Sequence, residues 1–541
     1  MPTERSGMRC LLWHLWLCAL VSITSGEVFP QNLRHFAFWD VDRDNFISSA
    51  EFAAVWKLVD APSNTTEYIP VATGNVRTWV AKAQVGEAPR QAAASSGGTT
   101  VTISHNVSSH TQLHDAVEKS SVTKIILQAD VRLTPETELA PVQHQLEILG
   151  ECPNTCGIDA NGLFRIFEVE RGGQLSLCNL TLANGNATGA SLTSESARGG
   201  AVLVQTDSIL AAIDCAMRHC TATGGGGAVA AIDSTILMTR TRLVNNSGSF
   251  GGAVACRGSV CVLDGCTLED NVAQISGGGL LAIPDGGVVN VTMTETAIRR
   301  NVALGLGGGG LGMLGSIEES SSNSASGEIL SVVQLTRCLL QENAAPSSYA
   351  GGLGYLSPAV LGLSSSGASF RGDALPNTNE GPTVGGSSPQ FVILLQEVAF
   401  HSNFAEADGG GIGLFFGQNT THVRVVNCSF LANRALNREV ASRNGGGGAI
   451  SAYFGSHLLV EGSLFEANTA DFGGALWSYI NVELSVQRCT FVRNLAETNG
   501  AVMSFLNDGQ LHVDTVMAAG NHAKVKGTFL ESIHSGPTTL Q

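Results

Sequence analysis

The sequence predicts a mainly β solenoid, in which short parallel strands stack as successive coils of one long repetitive domain. Three observations support this prediction. Of the 541 residues, 64 are glycine, short period-two apolar runs fill the chain from residue 99 onward, and two motifs alternate in a fixed order after residue 199. Glycine at this frequency without a three-residue period indicates many tight turns. The runs are too short and too numerous for a doubly wound sheet.

The first motif is Gly-Gly followed by Ala, Leu or Ile. Its copies begin at Gly199, Gly226, Gly251, Gly278, Gly309, Gly351, Gly410, Gly447 and Gly473, with Asn499-Gly-Ala501 as a degenerate tenth. Paired glycines allow a sharp turn with positive φ where neighbouring coils approach closely. Copies with no insertion between them are 25 to 27 residues apart. This spacing suits one coil of three short strands and three turns. Longer intervals hold insertions near 318–326, 357–389 and 437–443, which a solenoid tolerates at its turns.

The second motif lies between copies of the first and consists of an apolar residue followed three positions later by Asn. It occurs as Leu268–Asn271, Ile298–Asn301, Leu340–Asn343, Phe400–Asn403, Phe430–Asn433, Phe465–Asn468 and Phe491–Asn494. We expect each Asn to adopt the left-handed conformation and to hydrogen-bond to its copy one rung away, with the apolar residue filling the interior. The alternative fold, a β-sandwich with Gly-rich loops, predicts no fixed motif order.

The alternation of GGA[VIL] with FxxN resembles the repeats of chlamydial polymorphic outer membrane proteins, and more broadly the right-handed parallel β-helix, or pectin-lyase-like, fold. The resemblance covers about residues 100–530. It implies a right-handed parallel β-helix with an N-terminal cap and first coils at 99–198, repeat coils at 199–530 and a tail at 531–541. The paired motif is fairly specific for this fold and says little about function.

The N-terminus predicts a signal peptide at residues 1–26. Arg5 and Arg9 precede an apolar run that ends at Val21, and small residues follow up to a cleavage point after Gly26. An N-terminal membrane anchor is the alternative, which His14 within the run disfavours. No later stretch reaches the roughly 20 apolar residues of a spanning helix. We therefore expect a secreted, extracellular glycoprotein without a transmembrane segment once the signal is removed. Its sequons begin at Asn64, Asn106, Asn179, Asn186, Asn245, Asn290, Asn419 and Asn427.

Residues 40–51 fit the twelve-residue calcium loop of an EF-hand at every ligand position. The predicted Ca²⁺ ligands are the carboxylates of Asp40, Asp42 and Asp44, the carbonyl of Phe46, Ser48 through a water, and bidentate Glu51. Asn45 stands where Gly is usual, and Asn tolerates the left-handed conformation of that turn. An acidic helix N-terminus without metal is the alternative. The small α-helical EF-hand would occupy 27–60. No second hand is found to complete a pair, so it would dimerise between chains or bind calcium weakly.

A linker and a set of cysteines complete the prediction. Residues 61–98 are rich in Ala, Ser, Pro and Gly and predict a flexible linker. Of the 13 cysteines, one group shares a repeat position about five residues before the turn Asn, and most of its members should be buried free thiols. This group is Cys178, Cys215, Cys266, Cys338, Cys428 and Cys489. Cys178 and Cys215 are its only pair on adjacent rungs. Disulfides remain open for Cys152 with Cys156, and for Cys256 or Cys220 with Cys261.

The net charge of −16 argues against nucleic acid as a partner. We expect a structural, adhesive or glycan-binding role, with a cell-surface or matrix glycan or protein as partner. The alternative is a polysaccharide lyase or hydrolase, whose carboxylates from adjacent coils would converge in one groove. The turn residues Asp408, Asp471, His401, Arg299 and Arg300 either line such a groove or are simply solvated. The Arg371-Gly-Asp373 tripeptide is either a receptor contact or a chance match.

Overall fold

The computed structural model describes residues 68–73, 76–81 and 104–540, the last range with gaps at 137, 153–154, 190–193, 285–287, 316–329, 357–389, 416–420, 437–444, 454–455, 480–481, 507–508 and 534–537. The predicted signal peptide, the calcium loop 40–51 and the tripeptide 371–373 lie outside these residues. Tyr68–Thr73 and Val76–Ala81 form an antiparallel hairpin. This hairpin lies inside the segment that composition predicts as a linker.

From residue 104 onward the strands form four long sheets in which every pairing is parallel, so the chain is a parallel β-helix. Sheet I contains Ser104–Val107, Lys124–Leu127, Gln145–Gly150, Gln174–Cys178, Ile209–Ile213, Thr235–Thr239, Val260–Asp264, Asn290–Thr294, Leu330–Thr336, Gln390–Gln396, Thr421–Val426, His457–Glu461, Glu483–Gln487, Gln510–Asp514 and Thr538–Leu540. Its fourteen steps of about 4.8 Å extend for about 67 Å along the axis.

Sheet II is made of short strands that carry the apolar residue of the second motif. Its members are Val131–Arg132, Cys156–Asp159, Leu180–Ala183, Ala216–Arg218, Arg242–Val244, Thr267–Glu269, Ala297–Arg299, Leu339–Gln341, Ala399–His401, Ser429–Leu431, Leu464–Glu466, Thr490–Val492 and Met517–Ala519. Sheet III follows the motif Asn. It contains Asn186–Ala187, Thr221–Gly225, Ser247–Phe250, Val272–Ser276, Val302–Ala303, Ala344–Ala345, Phe404–Ala405, Arg434–Ala435, Thr469–Phe472, Leu495–Asn499 and His522–Ala523.

Sheet IV follows the glycine pairs. It contains Phe167–Val169, Val202–Val204, Val229–Ile232, Val254–Arg257, Leu280–Ile283, Leu311–Leu314, Leu353–Leu356, Ile412–Phe415, Ile450–Tyr453, Leu476–Tyr479, Met503–Leu506 and Leu530–Ile533. A complete coil therefore has four strands, and the prediction of three was wrong. The apolar residue and the Asn of the second motif lie on either side of a corner between sheets II and III.

Helix α1, His110–Glu118, lies at the first coil. Its N-cap Ser109 accepts a hydrogen bond from the backbone N–H of Gln112, as expected for a helix start. Leu113, Ala116 and Val117 are buried and join the core of the solenoid. The other helical element in the described residues is a 3₁₀ turn, Glu195–Ala197. No helix of the described residues is long and apolar enough to cross a membrane.

The interior is a set of columns, one residue per coil, as the sequence predicts. The clearest is the phenylalanine column Phe400, Phe430, Phe465 and Phe491, all fully buried. Successive rings stack with centroids 4.8, 4.8 and 4.7 Å apart and nearly parallel planes. This spacing equals the distance between neighbouring strands, so the stacked rings follow the backbone ladder without a gap.

The motif asparagines form a continuous ladder that is buried except at its last member, Asn521. Its members are Asn246, Asn271, Asn301, Asn343, Asn403, Asn433, Asn468, Asn494 and Asn521. The predicted ladder is confirmed, but the expected left-handed conformation of the Asn itself is wrong. The residue before each ladder Asn adopts it, for example Asp270 and Arg300 with φ of 55° and 50°. The turn thereby places the Asn side chain inward, where it satisfies buried backbone groups.

The glycine pairs form the close approach that the first motif predicts. Gly226 has a φ of +66°, and a Cβ on Gly227 would lie 2.2 Å from the carbonyl oxygen of Gly252 on the next coil. That distance is far below van der Waals contact, so these positions exclude any side chain.

Among the described residues, two disulfides are present, Cys152–Cys156 and Cys256–Cys261. The second resolves the alternative left open between Cys256 and Cys220. The thiol column is buried, and burial raises the pKa of Cys215 to about 12, which leaves it protonated and unreactive. The assignment of Cys178 to this column was wrong. Cys178 pairs in register with Ile213, two residues before Cys215, and is partly exposed.

Candidate functional site

The outer face of sheet I brings ionisable groups from three consecutive coils together. Alternate residues of a strand point to opposite faces, so outward residues of successive strands form columns. The register pairs His422 with His457 and His457 with Glu483. Arg424 lies on the next outward column, and Glu461 lies on the column after that. We call His422, Arg424, His457, Glu461 and Glu483 the sheet I cluster.

Within the cluster, the His457 imidazole lies against the Glu483 carboxylate. His457 Nδ1 lies 2.6 Å from Glu483 Oε2, with the His457 side chain 11% exposed and the Glu483 side chain 49% exposed. The hydrogen bond with His457 lowers the pKa of Glu483. A carboxylate at Nδ1 fixes the orientation and tautomer of an imidazole and directs Nε2 at whatever lies beyond it. Such a pair is suited to proton transfer or to hydrogen bonding with a hydroxyl.

His422 extends this pair by one coil. Its ring centroid lies 5.1 Å from that of His457, and the residue is buried, with only 8% of its surface exposed. Burial, and then the neighbouring His457, lower the pKa of His422 to about 4. His422 is therefore neutral at physiological pH and serves as a hydrogen-bonding group rather than a cation.

The remaining two members form a second, looser pair. Arg424 Nη2 lies 3.8 Å from Glu461 Oε2, and both side chains are about one-fifth exposed. Glu461 also contacts Arg488 of the next coil. The guanidinium is the group of the cluster best suited to a carboxylate or a vicinal pair of hydroxyls, because its donors form a planar fork.

Aromatic side chains cluster on sheet IV, which a corner joins to sheet I in each coil. Phe415, Tyr453 and Tyr479 each end a strand of sheet IV, and Tyr453 stacks on Phe415 at 4.5 Å. Trp477 packs edge-on against Tyr453 at 4.8 Å. Phe415 and Tyr453 are buried, whereas Trp477 and Tyr479 are half-buried. Half-buried aromatic rings beside polar groups are the usual lining of a small-molecule or sugar site.

Two of the three predicted insertions leave the coil at this same corner. The segments 315–329 and 357–389 each connect the end of a sheet IV strand to the start of a sheet I strand. The third insertion instead connects Arg434–Ala435 of sheet III to Ile450–Tyr453 of sheet IV. Two of the three longer intervals therefore fall at connections from sheet IV to sheet I, and long loops on a rigid scaffold commonly carry binding residues.

The site residues considered from the sequence do not converge. Asp408 is buried, its Oδ1 accepts the backbone N–H of Gly446 at 2.5 Å, and it hydrogen-bonds to Tyr453. Asp471 accepts the backbone N–H of Gly445 at 2.9 Å. Both carboxylates support the corner between sheets III and IV and are not solvated turn residues.

The other turn residues lie near a different corner, between sheets II and III. Arg300 contacts Asp270 through two hydrogen bonds of 2.8 and 2.9 Å, and it also reaches Glu269. Arg299 and His401 end strands of sheet II. These residues form no groove with Asp408 or Asp471. In the described residues, no group of three or more His, Cys, Asp or Glu side chains is arranged to hold a metal ion.

Sequence reasoning missed all five members of the sheet I cluster. The signal was present in the period-two strands HVRVV, HLLVE and ELSVQ, which place polar residues at matching alternate positions in consecutive repeats. Polar residues on the outer face of one strand are unremarkable. Their shared register becomes visible only when the strands are aligned coil by coil.

No known protein-family model matches the chain. A curated relative, the metabotropic glutamate receptor-like protein R of Dictyostelium discoideum, is 26% identical over 288 residues, covering 46% of this chain and 17% of the relative. The chain thus spans about a sixth of the relative's length. Solved structures with a similar chain path include the periplasmic alginate epimerase AlgG, at 10% identity with a TM-score of 0.35 over 81% of this chain and 86% of that one. The catalytic domain of a GH87 α-1,3-glucanase matches at 9% identity with a TM-score of 0.32, over 82% and 70% of the two chains.

Proposed function

We propose that this protein is a secreted β-helix that binds a glycan on the outer face of sheet I, at the sheet I cluster. The observation that carries the proposal is the convergence of His422, Arg424, His457, Glu461 and Glu483 from three consecutive coils. A cation, two imidazoles and two carboxylates offer both donors and acceptors, which suits a ligand rich in hydroxyl groups. The half-buried Trp477 and Tyr479 supply apolar surface for a sugar ring beside these groups.

The shape of the molecule supports a polymeric ligand. Sheet I extends for about 67 Å with strands about 4.8 Å apart, so an extended chain could lie along the axis across several rungs. Solenoids commonly use such extended faces for binding. The proposed biological role is therefore structural or adhesive, with the rod holding its partner at a cell surface or in a matrix.

Two features support secretion and calcium binding as parts of the same proposal. Disulfides persist in oxidising compartments, and Cys152–Cys156 and Cys256–Cys261 agree with the predicted signal peptide 1–26. The calcium loop 40–51 matches the EF-hand pattern at each ligand position. We propose that it binds Ca²⁺ through Asp40, Asp42, Asp44, Phe46, Ser48 and Glu51.

The test is direct binding of residues 27–541 to a panel of neutral and uronate polysaccharides, measured by co-sedimentation and calorimetry in the presence of calcium. The double variant H457Q/R424Q should lose at least tenfold in affinity for whichever glycan binds. R337Q is a matched control, because Arg337 is an exposed arginine paired with Glu295 at another turn. If no glycan of the panel binds, or if the double variant binds like the wild type, the proposal is wrong.

A second candidate function is cleavage of an acidic polysaccharide, which the His457–Glu483 pair favours. An imidazole held by a carboxylate is suited to act as a general base. Incubation with each polysaccharide followed by size-exclusion chromatography separates the two functions. Shortened chains that disappear in E483Q would support catalysis. Intact chains that remain bound would support a binding scaffold alone.

A further inference from the structure

A second surface, far from the sheet I cluster, gathers positive charge in a strongly acidic chain. On the outer face of sheet II, a shallow cavity of about 300 Å³ is lined by Thr181, Ala216, Met217, Arg218, His219, Arg242, Val244 and Asn245. We call this cavity the sheet II groove. It lies five rungs before the first member of the sheet I cluster, which is about 24 Å along the axis. Its residues take no part in the proposed glycan site.

The register explains how the groove forms. Ala216 pairs with Arg242, and Arg218 pairs with Val244. The two arginines therefore lie diagonally on adjacent rungs, with the short side chains of Ala216 and Val244 at the other two corners. Short side chains leave the space between the guanidinium groups open, and this open space is the cavity. Arg218 and His219 are exposed, and Arg242 is 64% exposed.

The arginines of the groove are paired less closely than those at several other turns. There, an exposed arginine faces a carboxylate one coil away, as Arg240 faces Asp214 at 2.7 Å and Arg300 faces Asp270 at 2.8 Å. Within the described residues, Arg218 has no carboxylate at ion-pair distance. Arg242 is 3.6 Å from Glu269, but Glu269 makes its closer contact, at 2.6 Å, with Arg300. The groove therefore holds cationic charge that the protein itself leaves largely uncompensated.

We propose that the sheet II groove binds the anionic groups, sulfate or carboxylate, of an acidic polysaccharide. Arginine forks match the planar oxygen pairs of both groups. The lining of the groove contains no Phe, Tyr or Trp on which a base could stack, which favours a polysaccharide over single-stranded nucleic acid. This inference does not rest on the proposed function of the sheet I cluster, because the two surfaces share no residue.

The test uses isothermal calorimetry with three oligosaccharide probes of matched length: a heparin fragment, an oligogalacturonate without sulfate, and a neutral cello-oligosaccharide. The wild type should bind at least one anionic probe, with an affinity that falls as salt rises. R218Q/R242Q should weaken that binding at least tenfold. R337Q/R493Q is the control that removes the same charge, because both arginines are exposed and lie outside the groove. It should bind like the wild type.

Two further arms make the result specific. Asn245 lines the groove and begins a sequon, so binding is measured before and after enzymatic removal of N-glycans, and deglycosylation should leave affinity equal or higher. The variant H457Q/R424Q is titrated with the same probes: binding that it retains and that R218Q/R242Q weakens belongs to the groove, which separates this inference from the sheet I proposal. Equal affinity in R218Q/R242Q and wild type, equal weakening in the R337Q/R493Q control, or no anionic probe bound after deglycosylation would each overturn the inference. The sulfated and carboxylated probes identify which anion is preferred.

Discussion

The side-chain amide of Asn343 donates to Oδ1 of Asn403 on the next coil at 3.0 Å, and the same oxygen accepts the backbone N–H of Asn343 at 3.0 Å. The second amide hydrogen of Asn343 goes to the carbonyl of Ile298 at 2.8 Å. Each ladder Asn therefore satisfies buried polar groups on the coil before it and the coil after it. This arrangement explains why no other side chain recurs at the position: it needs one acceptor oxygen and two donor hydrogens in a fixed plane.

Replacing Asn343 by Ala should destabilise the protein by about 3 kcal/mol, because two donors of Asn301 and the carbonyl of Ile298 lose their partner. The matched substitution N521A should cost less, since Asn521 is at the last rung of the ladder and is only half-buried. The midpoints of chemical unfolding for both variants check the order. Equal losses of stability in the two variants would show that an Asn inside the ladder contributes no more than the Asn at its end.

The phenylalanine stack predicts a graded response at Phe430. F430A should cost about 4 kcal/mol, because it leaves a large cavity between the rings of Phe400 and Phe465. F430L should cost only about 1 kcal/mol, since earlier coils already carry Leu268 or Leu340 in the same column. Thermal unfolding separates the two variants. A similar loss in both would mean that ring stacking, rather than filled volume, stabilises the column.

Two glycines separate the cost of a steric clash from the cost of a left-handed backbone conformation. G227A should destabilise by more than about 3 kcal/mol, because its Cβ would overlap the carbonyl oxygen of Gly252. Gly265 has a positive φ of 59°, but a Cβ there would meet only the Arg240 side chain at 3.5 Å. G265A should therefore cost about 1 kcal/mol, the strain of the left-handed conformation alone. Unfolding midpoints of the two variants measure the contrast, and the prediction is wrong if G265A is the more damaging.

Most of the fold could be predicted from the sequence, but little of the candidate site could. The Gly-Gly and FxxN motifs are local constraints, since a glycine pair is needed wherever coils approach closely and an Asn wherever its amide completes the ladder. They therefore recur at a readable spacing. The number of strands per coil was predicted wrongly because some strands are very short. The strand that holds Phe430 has only three residues and cannot be told from a turn in the sequence. The sheet I cluster was not predicted because His422, His457 and Glu483 are far apart in sequence. They come together only because their strands pair in register.

The lowered pKa of His422 predicts acid sensitivity. In the folded chain this imidazole binds its proton only near pH 4, whereas in the unfolded chain it does so near pH 6.5, so acid favours the unfolded state between these values. The loss should reach at most about 3 kcal/mol by pH 4. Glu483, whose pKa is lowered, contributes its own loss only below its ordinary titration range. Stability measured from pH 7 to pH 4.5 therefore reports His422.

The variant H422Q should flatten that pH profile, and H401Q, on the outer face of sheet II, should leave it unchanged. Three charged or titratable groups face His422: Arg424 on the same strand, and His457 and Glu483 on the following strands. All three are unchanged in both variants. An unchanged profile in H422Q would show that another group controls the acid response.

The proposed calcium loop predicts a fluorescence response at the N-terminus. Trp39 precedes Asp40 directly and Trp56 follows Glu51 by five residues, so ordering of the loop by Ca²⁺ should change their emission. We expect half-saturation on the order of 0.1 to 1 mM, as in extracellular EF-hand modules. E51Q removes the bidentate ligand and should abolish the response. E67Q removes the same charge outside the loop and should leave the titration unchanged. If E51Q titrates like the wild type, Ca²⁺ does not bind at residues 40–51.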